Sequence, residues 1–284
     1  MLERFRAAQA PAVERLVQLE RRGALPGPYA GPRPSLAGAL AARGPGALIA
    51  EYKRASPSRG DINLTLEPED AARAYAEAGA TALSVLTEQV WFKGHISYLD
   101  RMATAGLPLL RKDFLIHPLQ VRETAATPAS ALLLIVRMLD DAMLAAMLAD
   151  ARSAGLEAVL EVFDRKDLDR ARAALDASGP NASGPAGAGP AIIQVNNRDL
   201  DTLRVDASTS RTLIALKRAG EVWISASGAS RPEDVAERAA LGFEGVLVGT
   251  ALMDGPDQKE ALARLAAGQA GDPATRPSRV KVRP

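Results

Sequence analysis

Eight apolar runs of strand length recur along this chain, separated by helical patterns, and no other feature narrows the fold so far. The runs are ALIAEYK (47–53), ALSVLT (82–87), PLLRKD (108–113), ASALLLIV (129–136), EAVLEVF (157–163), AIIQVNN (191–197), VWISAS (222–227) and GVLVGT (245–250). Each is apolar nearly throughout rather than alternating, as in a parallel strand covered by helices on one side and packed side chains on the other. Between them, EPEDAARAYAEAGA, LDDAMLAAMLADARSAG and SRPEDVAERAALG change to a helical period, and a glycine often ends the segment. Eight such units favour a closed (β/α)8 TIM barrel over an open doubly wound sheet, and no GxGxxG follows the first strand to suggest a dinucleotide fold. A chain of 284 residues suits one such domain, which typically needs about 250.

The flanks break the pattern. In PAVERLVQLERRG (11–23), Val13, Leu16, Val17 and Leu19 fall at helical spacing, with Pro11 suited to a first turn and Gly23 to a stop. The Pro-, Gly- and Ala-rich stretch 24–46 reads as a loop with one short helix around Leu36–Ala42. Residues 1–46 therefore form an N-terminal extension to a single barrel domain spanning 1–267. LDASGPNASGPAGAGP (175–190) reads as a flexible insertion before the sixth strand, on the N-terminal face of the barrel. Residues 268–284 read as a disordered tail, and Arg276, Arg279, Lys281 and Arg283 there as a solvated terminus.

Composition removes several functions. Lys plus Arg number 35 against 34 for Asp plus Glu, so the global charge carries no footprint for nucleic acid or an anionic membrane. The absence of cysteine excludes disulfides, thiolate nucleophiles and Cys-ligated metals, and two histidines leave few other metal ligands, so no metal is expected. No apolar window approaches the ~18 residues of a membrane span, and MLERFRAAQAPAVERL lacks a secretory core, which makes the cytoplasm the expected location.

Active sites of such barrels sit at the C-terminal ends of the strands, so charges there are informative. Strand 1 ends in Glu51 and Lys53, on one side of the strand with Tyr52 opposite; strand 2 ends near Glu88. Strand 3 ends in Lys112 between Arg111 and Asp113, strand 5 carries Glu161, and strand 6 carries Asn196, Asn197 and Arg198. Any one of these serves equally well as a cap or an ion pair. As a set they suit acid/base work, because burying several charges in a barrel mouth is costly unless they are paired or engaged by substrate. Ser227-Gly228 and Gly249-Thr250 follow strands 7 and 8, where glycines and a short helix starting near Thr250 match the recurrent phosphate site of the fold. His95 and His117 read as loop or helix-start residues.

The residues then point to a family. IAEYKRASPSRGDIN (49–63) resembles the first-strand signature of indole-3-glycerol phosphate synthase. The resemblance continues in LSVLTE and FKGHISYL, in LPLLRKDFLIHPLQVRE, in LEVF and VNNRDLDTLRVD, and in ISASG and LVGTALM, in order across almost the whole barrel. It implies a cofactor-free carboxy-lyase of tryptophan biosynthesis, closing the indole ring of 1-(2-carboxyphenylamino)-1-deoxyribulose 5-phosphate with loss of carbon dioxide and water. It also implies that the N-terminal helix folds over the barrel mouth. Under it, Lys112 matches the general acid, Lys53 the lysine that engages the substrate carboxylate, and Glu161 the base or proton shuttle of the dehydration. Glu51 and Asn196 match polar supports, and Arg198 an arginine that stabilises the mouth. Ser56, Gly228, Gly249 and Thr250, with Ser227 in the same loop, would hold the phosphate. A monomer or weak homo-oligomer is expected, with association to other enzymes of the pathway left open.

Three positions depart from the family pattern. Ala226 stands where a glutamate facing the aromatic part of the substrate is usual, Phe163 where a histidine is common, and Gln194 where a glycine is common. The last two are expected to alter packing more than chemistry. Because Lys53, Lys112 and Glu161 all remain, retention of the reaction is expected. The alternatives are a catalytically weakened paralogue that binds a phosphorylated ligand or a partner, and another phosphosugar barrel such as phosphoribosylanthranilate isomerase.

Overall fold

The computed structural model describes residues 2–177, 190–254 and 257–269. All eight runs form strands: β1 (Ala47–Tyr52), β2 (Ala82–Leu86), β3 (Leu109–Lys112), β4 (Ala131–Ile135), β5 (Glu157–Val162), β6 (Ile192–Asn196), β7 (Val222–Ala226) and β8 (Gly245–Val248). Each pairs in parallel with its sequence neighbours, and β8 pairs with β1 through Ala47 and Gly245, so the sheet closes as a TIM barrel. Each strand is shorter than its run by a residue or more.

Inside the barrel, Ala47, Ile49, Leu110, Ala131, Leu133, Val159, Ile192 and Ile224 pack in one cluster. The intervening residues, such as Leu48, Ala50, Val85 and Val246, pack outward against α3 (Pro68–Glu77) and the helix Gln258–Ala266. Strands with side chains of period 2 and no solvent-facing side explain why the runs look uniformly apolar.

The extension covers both ends of the barrel. α1 (Leu2–Arg21) lies at the C-terminal end: Arg6 donates to the carbonyl of Met138, and Gln9 Nε2 donates to Asp113 at 3.0 Å. The helix begins nine residues before Pro11, which therefore sits inside it rather than in its first turn. An interior proline costs about 3 kcal/mol. The contacts of Phe5, Arg6 and Gln9 beyond it hold the earlier turns in place. α2 (Leu36–Arg43), by contrast, closes the opposite end. Its Leu36 and Ala37 amides donate to the Glu157 carboxylate at the start of β5, and Leu40 packs near Gly245 at the start of β8.

The helix Arg165–Ala177 runs into the segment read as a loop from residue 175, and residues 178–189 of that segment lie outside the described residues. So does the tail from 270 onward, with its four basic residues. No helix among the described residues is long and apolar enough to cross a membrane.

Candidate active site

One alternation rule places the polar residues. Ile49, Leu110, Val159, Ile192 and Ile224 point into the barrel, so Glu51, Lys112, Glu161, Gln194 and Ala226, two residues on, project to the same side. Lys53 and Asn196 follow the same phase. The result is a cavity of about 550 Å³ at the C-terminal end of the barrel. It is lined by Glu51, Lys53, Lys112, Glu161, Asn196 and Arg198, and further round by Ser56, Ser227, Gly228, Gly249 and Thr250. The eleven residues to which the family resemblance gives a role thus meet at one site.

Glu51 organises the two lysines. Its carboxylate is almost fully buried, with Oε1 2.8 Å from Lys53 Nζ and Oε2 3.8 Å from Lys112 Nζ. Burial alone would push this carboxyl up, but Lys53, then Lys112 and Arg198, outweigh it and hold the group below the ordinary carboxylate value. Gly249 is the backbone beside it: a methyl there would lie 2.4 Å from Glu51 Oε1. Glycine after β8 is therefore required by the carboxylate as well as suited to an anion.

Across the mouth, Asn196 Oδ1 accepts from the Arg198 amide at 3.0 Å and from Ser227 Oγ at 2.9 Å, tying the loops after β6 and β7 together. The Arg198 guanidinium donates to the Leu203 carbonyl at 2.8 Å, which folds the loop back on itself. Ser227 and Gly228 both have positive φ, 65° and 89°. For a serine that conformation costs on the order of 1–3 kcal/mol. Asn197 offsets it by donating from Nδ2 to the carbonyls of Ala226 and Ser227, both at 3.0 Å. Ser56 reaches the cavity from a short hairpin formed by Ala55–Ser56 and Gly60–Asp61, and Arg59 of its turn pairs with Asp254 beyond β8. The four-residue helix Thr250–Met253 starts at the cavity wall as expected.

Other strand-end residues serve the scaffold. Glu88 accepts from the amides of Val90, Trp91 and Phe92 and shapes that loop. Arg111 points outward from β3 and is buried against Thr124, Glu123 and the Gln120 carbonyl. Asp113 borders the cavity but is engaged by Gln9, Thr87 and the Phe114 amide. His117 caps α5 (Pro118–Ala125), accepting from the Leu119 amide, and His95 accepts from the Ser97 amide ahead of α4 (Tyr98–Met102); neither lines the cavity.

The apolar wall was not legible as a site. Phe5 of α1 stacks on Phe114 with ring centroids 4.2 Å apart and meets the edge of Trp91 at 6.1 Å. With Phe92, Leu133, Ile135 and Ala226 it gives the cavity a face suited to an aromatic ring. Phe92 and Phe114 lie within recognisable blocks, but the only signal for Phe5 was its spacing from Gln9 and Leu16 along α1, masked by Pro11.

Comparison with known proteins agrees with this geometry. The family model for indole-3-glycerol phosphate synthase matches residues 9–265. An indole-3-glycerol phosphate synthase of Roseiflexus sp. (strain RS-1) is 42% identical over 246 residues, covering 84% of this chain and 86% of the relative. One from Aquifex aeolicus (strain VF5) is 41% identical over 221 residues, covering 77% and 80%. Among solved structures, a 3-hexulose-6-phosphate synthase from Salmonella typhimurium superposes with a TM-score of 0.59 at 15% identity, covering 78% of this chain and 97% of that one. That likeness is one of fold.

Proposed function

We infer the chemistry of the site from one premise: the chain belongs to the indole-3-glycerol phosphate synthase family. The reaction is the decarboxylative ring closure of 1-(2-carboxyphenylamino)-1-deoxyribulose 5-phosphate, a carboxy-lyase step of tryptophan biosynthesis. The observation that carries the assignment of roles is the arrangement of two lysines on the single buried carboxylate of Glu51, with Glu161 on a strand across the barrel.

The ring carbon that bears the carboxylate attacks the ketone carbon, and the ketone oxygen gains negative charge as the bond forms. Lys112 donates a proton to that oxygen. Its ammonium stands at 3.8 Å from Glu51, beyond hydrogen-bond distance, so its protons remain available to a substrate. Lys53, already bonded to Glu51, presents positive charge to the substrate carboxylate until carbon dioxide leaves and the electron pair returns to the ring. In the dehydration the new hydroxyl takes a proton from the Lys53 ammonium, now free of the substrate carboxylate, and leaves as water, while Glu161 accepts the proton lost from the methylene carbon as the indole double bond forms. The phosphate lies at the other end, among Ser56, Ser227-Gly228 and Gly249-Thr250, and the aromatic ring against Phe5, Phe114 and Leu133.

Ala226 favours a second reading, a barrel that binds the substrate without turning it over, because the methyl there neither accepts nor donates a proton. Giving the purified chain the carboxyphenylamino-deoxyribulose phosphate and following indole fluorescence decides between them. Steady product formation is expected. Folded protein that binds the substrate and forms no product would establish the binding reading.

A further inference from the structure

Gln194 differs from the other polar groups of the site in lying beneath it. It is fully buried on β6, two residues inward of Asn196, and is not part of the cavity wall. In register it stands beside Glu161 on the neighbouring strand β5, and its Nε2 donates to Glu161 Oε2 at 2.5 Å. Among the described residues no other side chain or amide donates to Glu161, which is 1% exposed and makes no ion pair. The orientation of the amide follows from chemistry, since an amide oxygen against a carboxylate would repel it. Gln194 Oε1 meets no protein donor. A residue present only to fill this space has no need of an amide: neighbouring inward positions are filled by Val159, Ile192 and Ile224.

We propose that Gln194 is a positioning residue for the reaction. Its amide holds one oxygen of Glu161 from below the cavity floor, so that the carboxylate presents its other oxygen to the substrate as proton acceptor. This departs from the sequence-based expectation that Gln194 alters packing more than chemistry. It rests on the assignment of Glu161 as the acceptor in the dehydration. A glycine at this position, as in the family pattern, would leave room for a water that can donate in place of the amide.

The test compares wild type with Gln194→Met and Gln194→Gly in the full chain, reading kcat and KM separately and the deuterium isotope effect on kcat for substrate deuterated at the methylene carbon that loses its proton to Glu161. Methionine matches the length of glutamine and donates nothing; glycine opens room for water. The expected order of kcat is wild type, then Gln194→Gly, then Gln194→Met. The methionine variant should lose roughly tenfold to a hundredfold, the worth of a hydrogen bond to a charged group. Its KM should stay near the wild-type value and its isotope effect should rise, because a mis-aimed acceptor makes proton transfer slower. A packing role gives the reverse order, with methionine close to wild type and glycine lowest, and that result overturns the proposal. A wild type that forms no product overturns the synthase assignment itself, whereas an active wild type with an equally active methionine variant overturns only the role of Gln194.

Discussion

Replacing Lys112 by methionine separates catalysis from stability more cleanly than any other change at this site. The Lys112 ammonium is 3.8 Å from Glu51 Oε2, with its side chain 18% exposed, while Glu51 Oε1 keeps Lys53 at 2.8 Å. Removing the Lys112 charge therefore strands no carboxylate. A pair at that distance near the solvent contributes at most ~1 kcal/mol, and methionine keeps the apolar stem that packs against its neighbours. For a domain of this size ~1 kcal/mol corresponds to a shift of roughly 2–4 °C in Tm. A general acid contributes far more to the barrier, typically ~10²–10⁴ in rate, or about 3–5.5 kcal/mol. The assay is indole fluorescence from the carboxyphenylamino-deoxyribulose phosphate, with kcat and KM resolved and Tm measured on the same preparations. The expected result is a fall of at least ~100-fold in kcat with KM and Tm little changed. Turnover at the wild-type rate, or a loss confined to KM, would falsify the assignment of Lys112 as the acid and leave it as a binding residue.

Three further substitutions probe the rest of the cavity. Glu51→Gln leaves both lysines without their shared counter-charge and should cost about 3 kcal/mol at neutral pH, the lower end for breaking a buried pair. Because the folded-state carboxyl of Glu51 is held below 4.5, its contribution is full above that pH and is lost as the pH falls further. The Tm difference between wild type and variant should thus hold from neutral pH down to about pH 5 and narrow below it; a constant difference in acid would refute the linkage. Gly249→Ala places a methyl 2.4 Å from Glu51 Oε1, so it should lower kcat in the same direction as Glu51→Gln although no charge is altered. Wild-type kinetics in that variant would show that Glu51 moves freely. Ala226→Glu restores the carboxylate of the family pattern and should raise kcat by up to ~10-fold, about one charge-assisted hydrogen bond, whereas a lower kcat would mean that the site is built around the methyl.

How much of this was legible in sequence depended on whether a residue's role is set by its own strand or by its neighbours. Lys53, Lys112 and Glu161 could be found because the period of two within a strand, and a charge at its end, are local facts. Ser227 and Gly228 were legible for the same reason. Gly249 was found for half of its reason, since its contact with Glu51 crosses from β8 to β1 and depends on the closed register. Phe5 escaped because Pro11 signals a helix start, and only tertiary anchoring carries the helix back to Leu2. Gln194 reads in sequence as one polar residue in an apolar run. Its meaning lies in the pairing of β5 with β6, which sets it beside Glu161.

The partners around the cavity are unevenly shared, and this bears on the loss of the glutamate at Ala226. Glu51 is held by two lysines, and Asn196 by both Arg198 and Ser227, so either network survives the loss of one member. The cavity lining sets Lys53, Arg59, Lys112 and Arg198 against Glu51, Asp113, Glu161 and Asp254, so its charges balance and a substrate carboxylate or phosphate is met by individual cations rather than by a net field. With the cations of the cavity all in place beside Ala226, the expected effect of Ala226→Glu falls on kcat rather than on KM. Glu161, by contrast, has the single donor Gln194 among the described residues. The sensitivity of the reaction to remote substitution should therefore concentrate beneath Glu161 rather than around the lysines, on the side of the barrel where this chain departs from its family.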